Sequence, residues 1–172
     1  VNQAVETIFP YGDMLFLGTE FGVYIYDLSD PANPAFLSNY EHMQSCDPVV
    51  VKDVYAYSTL NSEGPCGRGL NQLDIIDISD PESPVKIRQI QMESPRGLGI
   101  SGQTLFICDE GLKIFDLSDP TYPEFLRKID IDAVDVIPLD TLLLVATEQG
   151  LAQYSIGNDF EIIFLSSLYT KE

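Results

Sequence analysis

Basic residues are scarce in this chain: nine Lys and Arg stand against 27 Asp and Glu, a formal net charge of −18 over 172 residues. That balance disfavours nucleic acid and anionic membrane surfaces, whose phosphates are held by clusters of Lys and Arg. Acids in such number keep an exposed β-protein soluble, and this reading outweighs a dedicated cationic ligand. No apolar run reaches the length of a membrane-crossing helix. Histidine occurs once, at His42, with no Ser or Cys nucleophile motif near it, so it reads as a surface residue rather than a general base. G-x-S-x-G, H-E-x-x-H and a phosphate-binding loop are all missing. A catalytic reading has no motif to start from, and carboxylate pairs for glycosidic cleavage cannot be picked from so many acids. Helical periodicity with caps is missing too. Val1 opens no charged and then apolar leader, which sets the expectation of a mature or excised piece.

What the chain has is a repeat. Asp27-Leu28-Ser29-Asp30-Pro31-Ala32-Asn33-Pro34 returns as Asp77-Ile78-Ser79-Asp80-Pro81-Glu82-Ser83-Pro84 and as Asp116-Leu117-Ser118-Asp119-Pro120-Thr121-Tyr122-Pro123. Each copy follows a short apolar run, and a degenerate fourth copy begins at Leu151 without the prolines. The leading Asp27, Asp77 and Asp116, with Ser155 in register, are 50, 39 and 39 residues apart. Periods of about 40 residues built from short strands predict an all-β fold, a β-propeller of four-stranded antiparallel blades. Four blades fit, at 1–42, 43–92, 93–131 and 132–172, in one domain. Their strands a to d are expected at 5–9, 14–18, 22–28 and 35–40; 49–51, 54–59, 72–78 and 85–91; 97–100, 104–108, 112–117 and 124–129; 134–138, 142–147, 151–156 and 161–165. The Ser-Asp-Pro-x-x-Pro segment becomes the c–d turn: Ser and Asp bond nearby backbone N–H groups and Pro fixes φ. Its acids therefore carry no catalytic role.

The stretches 22–31, 73–81 and 111–120 resemble the LVIVD repeat, a family named for this strand-c signature and associated with propellers. The region from Cys46 to Asp74 is similar to a branch found in envelope lipoproteins of gram-negative bacteria. The resemblance implies a cell-envelope location, at the outer-membrane surface or in the periplasm, with a lipid anchor outside this chain as the membrane link. It also implies a partner in an envelope or outer-membrane protein complex. Members of the family are longer, so the chain is expected to be part of a larger propeller. A compact four-bladed ring and two copies making eight blades are the alternatives.

In a propeller the b–c turns and d–a links share one face, and function is expected there. Glu20, Asp109 and Glu148 each stand two residues before a Gly in a b–c turn, which places them around one rim. Ca²⁺ is the cofactor such oxygens could take. Acids on separate blades stand too far apart to share one ion, so solvated turns are the favoured reading and no cofactor is expected. The b–c turn of blade two is swollen to residues 61–71, and a loop elaborated on one face of a repeat scaffold marks a binding face. Cys66 in this loop and Cys46 at the d–a entry of the same blade are expected to form a disulfide. Such a bridge contributes about 3 kcal/mol by loop entropy and belongs in an oxidising compartment. Cys108, inside an apolar run, reads as a small buried hydrophobe. His42, Arg68 and Arg96 complete the expected partner face. The function these residues point to is a non-catalytic interaction module. A glycan- or peptide-binding propeller with stacking tyrosines is the alternative, and a hydrolase or lyase with a channel-mouth site ranks below both.

Overall fold

The computed structural model describes residues 4–45, 48–62, 70–157 and 161–170. Among them sixteen strands pair into four antiparallel sheets of four, as expected. The chain divides into two units, Val1–Pro95 and Arg96–Glu172. In the first, blade one comprises β1 (Val5–Tyr11), β2 (Met14–Thr19), β3 (Gly22–Asp27) and β4 (Ala35–Glu41). Blade two comprises β5 (Val49–Lys52), β6 (Tyr55–Leu60), β7 (Gln72–Asp77) and β8 (Val85–Gln91). The second unit holds blade three, with β9 (Pro95–Ser101), β10 (Thr104–Asp109), β11 (Leu112–Asp116) and β12 (Glu124–Ile129). Blade four follows as β13 (Ala133–Leu139), β14 (Leu142–Thr147), β15 (Gly150–Ile156) and β16 (Ile162–Tyr169). Strand edges differ most at β16, which runs on to Tyr169 instead of ending at 165, because ladder pairing continues to Gly150 past the apolar run.

The recurring turn is built by its acids. Asp27 Oδ1 accepts the Ser29 N–H (2.7 Å) and Asp30 Oδ1 the Ala32 N–H (3.1 Å). Asp77 and Asp80 do the same for Ser79 and Glu82, and Asp116 and Asp119 for Ser118 and Thr121. Two successive side-chain-closed turns thus carry blades one to three from strand c to strand d. The Ser29 and Ser79 backbone bonds hold the carboxyls of Asp27 and Asp77 below the ordinary aspartate range. One more bond repeats in all four blades: the residue after the leading Asp or Ser donates back to the a–b turn, as in Leu28 N to Asp13 O (2.7 Å) and Ile156 N to Thr141 O (2.7 Å).

Each unit buries one sheet-on-sheet core. In the first, Phe16, Val23 and Ile25 of blade one pack on Val49, Val51, Ala56 and Ile76 of blade two. In the second, Phe106, Cys108, Leu112 and Ile114 of blade three meet Val136, Leu143, Val145, Ala152 and Tyr154 of blade four. Cys108 is fully buried, as expected. Burial pushes its thiol pKa far up, with the Asp135 charge adding and the Arg96 charge opposing. The first interface also contains a charge: Asp74 is fully buried, accepts bonds from Tyr40 OH (2.8 Å) and Gln72 Nε2 (2.6 Å), and lies 3.5 Å from Lys86 Nζ. It interrupts the apolar run Leu73-Asp74-Ile75-Ile76 with a fully engaged carboxylate.

Candidate functional site

In the first unit, the loop-bearing end of the blades is a hydrogen-bonded frame. The Glu20 carbonyl accepts the Ser45 N–H (2.9 Å) and its carboxylate accepts Gln44 Nε2 (3.3 Å), so the b–c turn of blade one holds the link into blade two. Ser45 then grips the start of the swollen loop: its hydroxyl donates to Asn61 O (3.1 Å) and accepts the Asn61 N–H (2.7 Å). Asn61 Nδ2 reaches Pro95 O at 2.7 Å. The far stem is fixed by Asn71, whose Oδ1 accepts the Ser62 N–H (2.7 Å) and whose carbonyl accepts Gln91 Nε2 (2.7 Å). Both ends of this loop are therefore pinned by buried or half-buried amides. His42 is half-buried, its Nδ1–H donating to Met43 O (2.6 Å) and its ring 6.1 Å from that of Tyr40. Arg68, Cys46 and Cys66 lie outside the described residues.

The second unit corrects the reading of the turn acids. In blade one Thr19 pairs with Gly22, and in blade four Thr147 pairs with Gly150; each Thr hydroxyl donates to the Gly carbonyl, at 2.9 and 3.2 Å. In blade three the turn is one residue shorter, with Cys108 opposite Leu112. Asp109 therefore takes the place of Thr19 and Thr147, not of Glu20 and Glu148. It is not a solvated turn acid but 1% exposed, and Lys113 Nζ lies 2.6 Å from its Oδ2. The shared acid-to-Gly spacing reflects the glycines instead. At Gly22, Gly111 and Gly150, with φ between 134° and 154°, a Cβ would stand 2.2, 2.8 and 2.0 Å from a carbonyl oxygen of strand d. Glu20 is half-buried and bonded to its own link, whereas Glu148 is exposed. Among the described residues no group of three or more His, Cys, Asp or Glu is gathered as a metal site.

Glu148 instead borders an open groove of about 300 Å³. It is lined by Asp132 from the d–a link, Thr147, Glu148 and Gln149 from the b–c turn, Leu151 and Ala152 from β15, and Phe164, Ser167, Leu168 and Tyr169 from β16. Tyr169 is 71% exposed. The groove thus combines carboxylates, hydroxyls, apolar side chains and an aromatic face, a set that can orient a polar ligand. Arg96, in β9, is half-buried, its charge opposes the rise of the Cys108 thiol pKa, and it is not among the residues that line the groove. Reading the sequence missed Asp132, Ser167 and Tyr169, since they follow no motif and meet only through the β15–β16 ladder.

Four four-stranded antiparallel sheets joined in sequence, each with an exposed strand d, are the blades of a β-propeller, and comparison with solved structures agrees. The chain is similar to the periplasmic gluconolactonase of Pseudomonas aeruginosa at 14% identity and a TM-score of 0.73, covering 98% of this chain and 55% of that one. The computationally designed Ika4 protein is matched at 14% identity and a TM-score of 0.64, over 91% of this chain and 94% of that one. Hsv2 of Kluyveromyces lactis is matched at 12% identity and a TM-score of 0.60, over 99% and 49%. These likenesses establish the fold, and the chain spans about half the length of the two natural proteins. No curated protein matches it in sequence. The LVIVD repeat profile matches residues 7–42, 67–90 and 95–130, more than half of the chain, and the chain belongs to the LVIVD repeat family.

Proposed function

We propose that this chain is a non-catalytic binding module of the bacterial cell envelope, holding a protein partner at the loop-bearing end of its blades. The observation that carries the reading is the groove of blade four, which Asp132, Glu148, Leu151, Leu168 and the exposed Tyr169 line together. Such a set fits a peptide segment presenting a basic side chain: the carboxylates take its charge and Tyr169 its stem and face. The net charge of −18 steers the same class of partner. A second contact around His42 is supported by the frame of Ser45, Asn61, Ser62 and Asn71, whose hydrogen bonds order these residues before any partner arrives.

The Cys46–Cys66 bridge belongs to this proposal. Cys46 follows Ser45, whose two hydrogen bonds to Asn61 tie the blade link to the start of the loop that contains Cys66. The bridge would close that tie covalently and places the protein in an oxidising compartment, the periplasm or the outer-membrane surface. A lipid anchor outside this chain would supply the membrane attachment. Counting thiols in denaturant without reductant should give one, from Cys108; three would refute the bridge.

The test of the function is to recover the protein from envelopes under mild detergent and identify its companions by mass spectrometry, with Tyr169→Ala and Glu148→Gln as controls. A stoichiometric protein partner, lost with Tyr169→Ala and weakened about tenfold by Glu148→Gln as a charge-assisted contact would be, supports the module. A partner retained by both variants removes the groove from the reading. Binding to a glycan array in place of a protein would move the assignment to the glycan alternative.

A further inference from the structure

Phe21 and Met43 stand at the loop-bearing end of the first unit with 43% and 59% of their surface exposed. Hydrogen bonds bring their two segments together. The Phe21 carbonyl accepts the His42 N–H (3.3 Å), and the Glu20 carbonyl beside it accepts the Ser45 N–H (2.9 Å). The b–c turn of blade one thus grips the link into blade two at both ends, and Met43 and Gln44 form the bend between the grips. Gln44 Nε2 closes back on the Glu20 carboxylate (3.3 Å), and the His42 ring on Met43 O (2.6 Å). The backbone that carries Phe21 and Met43 is therefore set before anything binds.

Blade four shows that this turn does not need an aromatic ring. There Thr147-Glu148-Gln149-Gly150 takes the place of Thr19-Glu20-Phe21-Gly22. Gln149 N–H donates to Thr147 Oγ1 at 3.3 Å, as Phe21 N–H does to Thr19 Oγ1 at 3.4 Å. Thr170 N–H reaches Gln149 O at 3.0 Å, as His42 N–H reaches Phe21 O. The same backbone is thus built with Gln and Thr, residues suited to exposed positions. Phe21 adds nothing to these bonds and, at its exposure, gains little from burial. What it adds is apolar surface, the material of an interface core, and Met43 adds an unbranched thioether that adapts its shape to what meets it.

We infer that Phe21 and Met43 form a docking patch for a protein segment that buries one aliphatic or aromatic side chain against them and sets Lys or Arg against Glu20 and Glu41. The inference rests on the reading of the loop-bearing end as the binding face, and uses none of the groove residues of blade four. Charge selects the basic flank of the partner. Glu20 and the exposed Glu41 adjoin the patch along the chain, and among the described residues at this end of blades one and two there is no Lys or Arg. Opposite charge at the rim speeds encounter and fixes orientation. A second copy would bring its own net charge of −18 against the same carboxylates, which disfavours it as the occupant.

Selecting a phage-displayed random peptide library on the 172-residue chain tests this, with affinities of the enriched peptides then measured by fluorescence anisotropy. The expected consensus has one aliphatic or aromatic residue beside Lys or Arg. Phe21→Gln and Met43→Gln should each weaken the consensus peptide about tenfold or more. Glu41→Gln should weaken it about two- to fivefold, an effect that fades with added salt. Phe21→Gln installs the residue that blade four has at this place, so it should keep the wild-type melting curve and separate lost binding from lost fold. A library without a consensus overturns the inference, and so does a consensus peptide that Phe21→Gln binds as tightly as the wild type. Peptides lost with Tyr169→Ala but kept by Phe21→Gln overturn it while leaving the groove reading intact; the reverse pattern keeps the patch and removes the groove. Self-association of the chain that Phe21→Gln abolishes would put a second copy on the patch, and that too overturns the inference.

Discussion

Blades three and four carry the same strands in the same order, yet their second strands are buried differently. All six residues of β10 are buried, whereas β14 alternates between half-buried and buried. Their sequences do not predict this difference. Leu105-Phe106-Ile107-Cys108 and Leu142-Leu143-Leu144-Val145 are equally continuous apolar runs, the pattern of a strand covered on both faces. Blade four is thus written for a cover that only one of its faces has, and the same is true of Leu15-Phe16-Leu17 in blade one. The comparison teaches that in a repeat fold the local sequence records the neighbours a blade expects, not those it meets.

The sharpest way to probe this contrast is one substitution at two equivalent positions. Leu112→Ala should cost about 2–5 kcal/mol in urea unfolding, as full burial dictates, and Leu151→Ala in dilute protein less than half of that. Equal costs would show that Leu151 is as fully enclosed as Leu112. The turns allow a second test. Asp109→Asn leaves Lys113 beside a neutral partner in a nearly dry site and should cost about 2 kcal/mol, the low side for a broken buried pair because Lys113 keeps some access to water. Glu148→Gln, in the exposed turn of blade four, should stay within about 0.5 kcal/mol. If both were neutral, Asp109 would be the solvated acid its spacing suggests.

The smallest effect concerns the repeated turns. The carboxyls of Asp27 and Asp77 sit below their ordinary value in the folded chain because they accept N–H bonds, so they add stability once pH exceeds the unfolded value of 3.8. That contribution is lost as pH falls below it through the folded values. Asp27→Asn and Asp77→Asn should therefore flatten the acid limb of the stability–pH curve below about pH 4 and leave its shape at neutral pH unchanged. An unaltered acid limb in the double variant would mean that these turns persist in the unfolded chain.

Much of the fold was legible because strands and turns are short-range objects. The Asp-x-Ser-Asp-Pro phrase marks the c–d turns of blades one to three through bonds spanning two or three residues, and the apolar runs mark the strands between them. The candidate site was legible in part. Glu148 stands exposed in its b–c turn as the spacing implies, but Asp109 was misplaced: distance to the next Gly is counted along the chain, while equivalence is set by the ladder, and the blade-three turn is one residue shorter. The buried Asp74 was passed over within an apolar run because its partners Tyr40 and Lys86 lie on other strands.

By itself, then, the sequence determined a repeating all-β chain, the place of the repeated Asp-x-Ser-Asp-Pro turns, and the apolar runs of its strands. These follow from hydrogen bonds and side-chain alternation within a few residues. The tertiary structure decided which acids are buried and paired, where strand d completes a groove with Asp132 and Tyr169, and which apolar rows stay open to solvent. Those depend on residues far apart in the chain meeting across the ladders, and desolvation acts only on what is then enclosed.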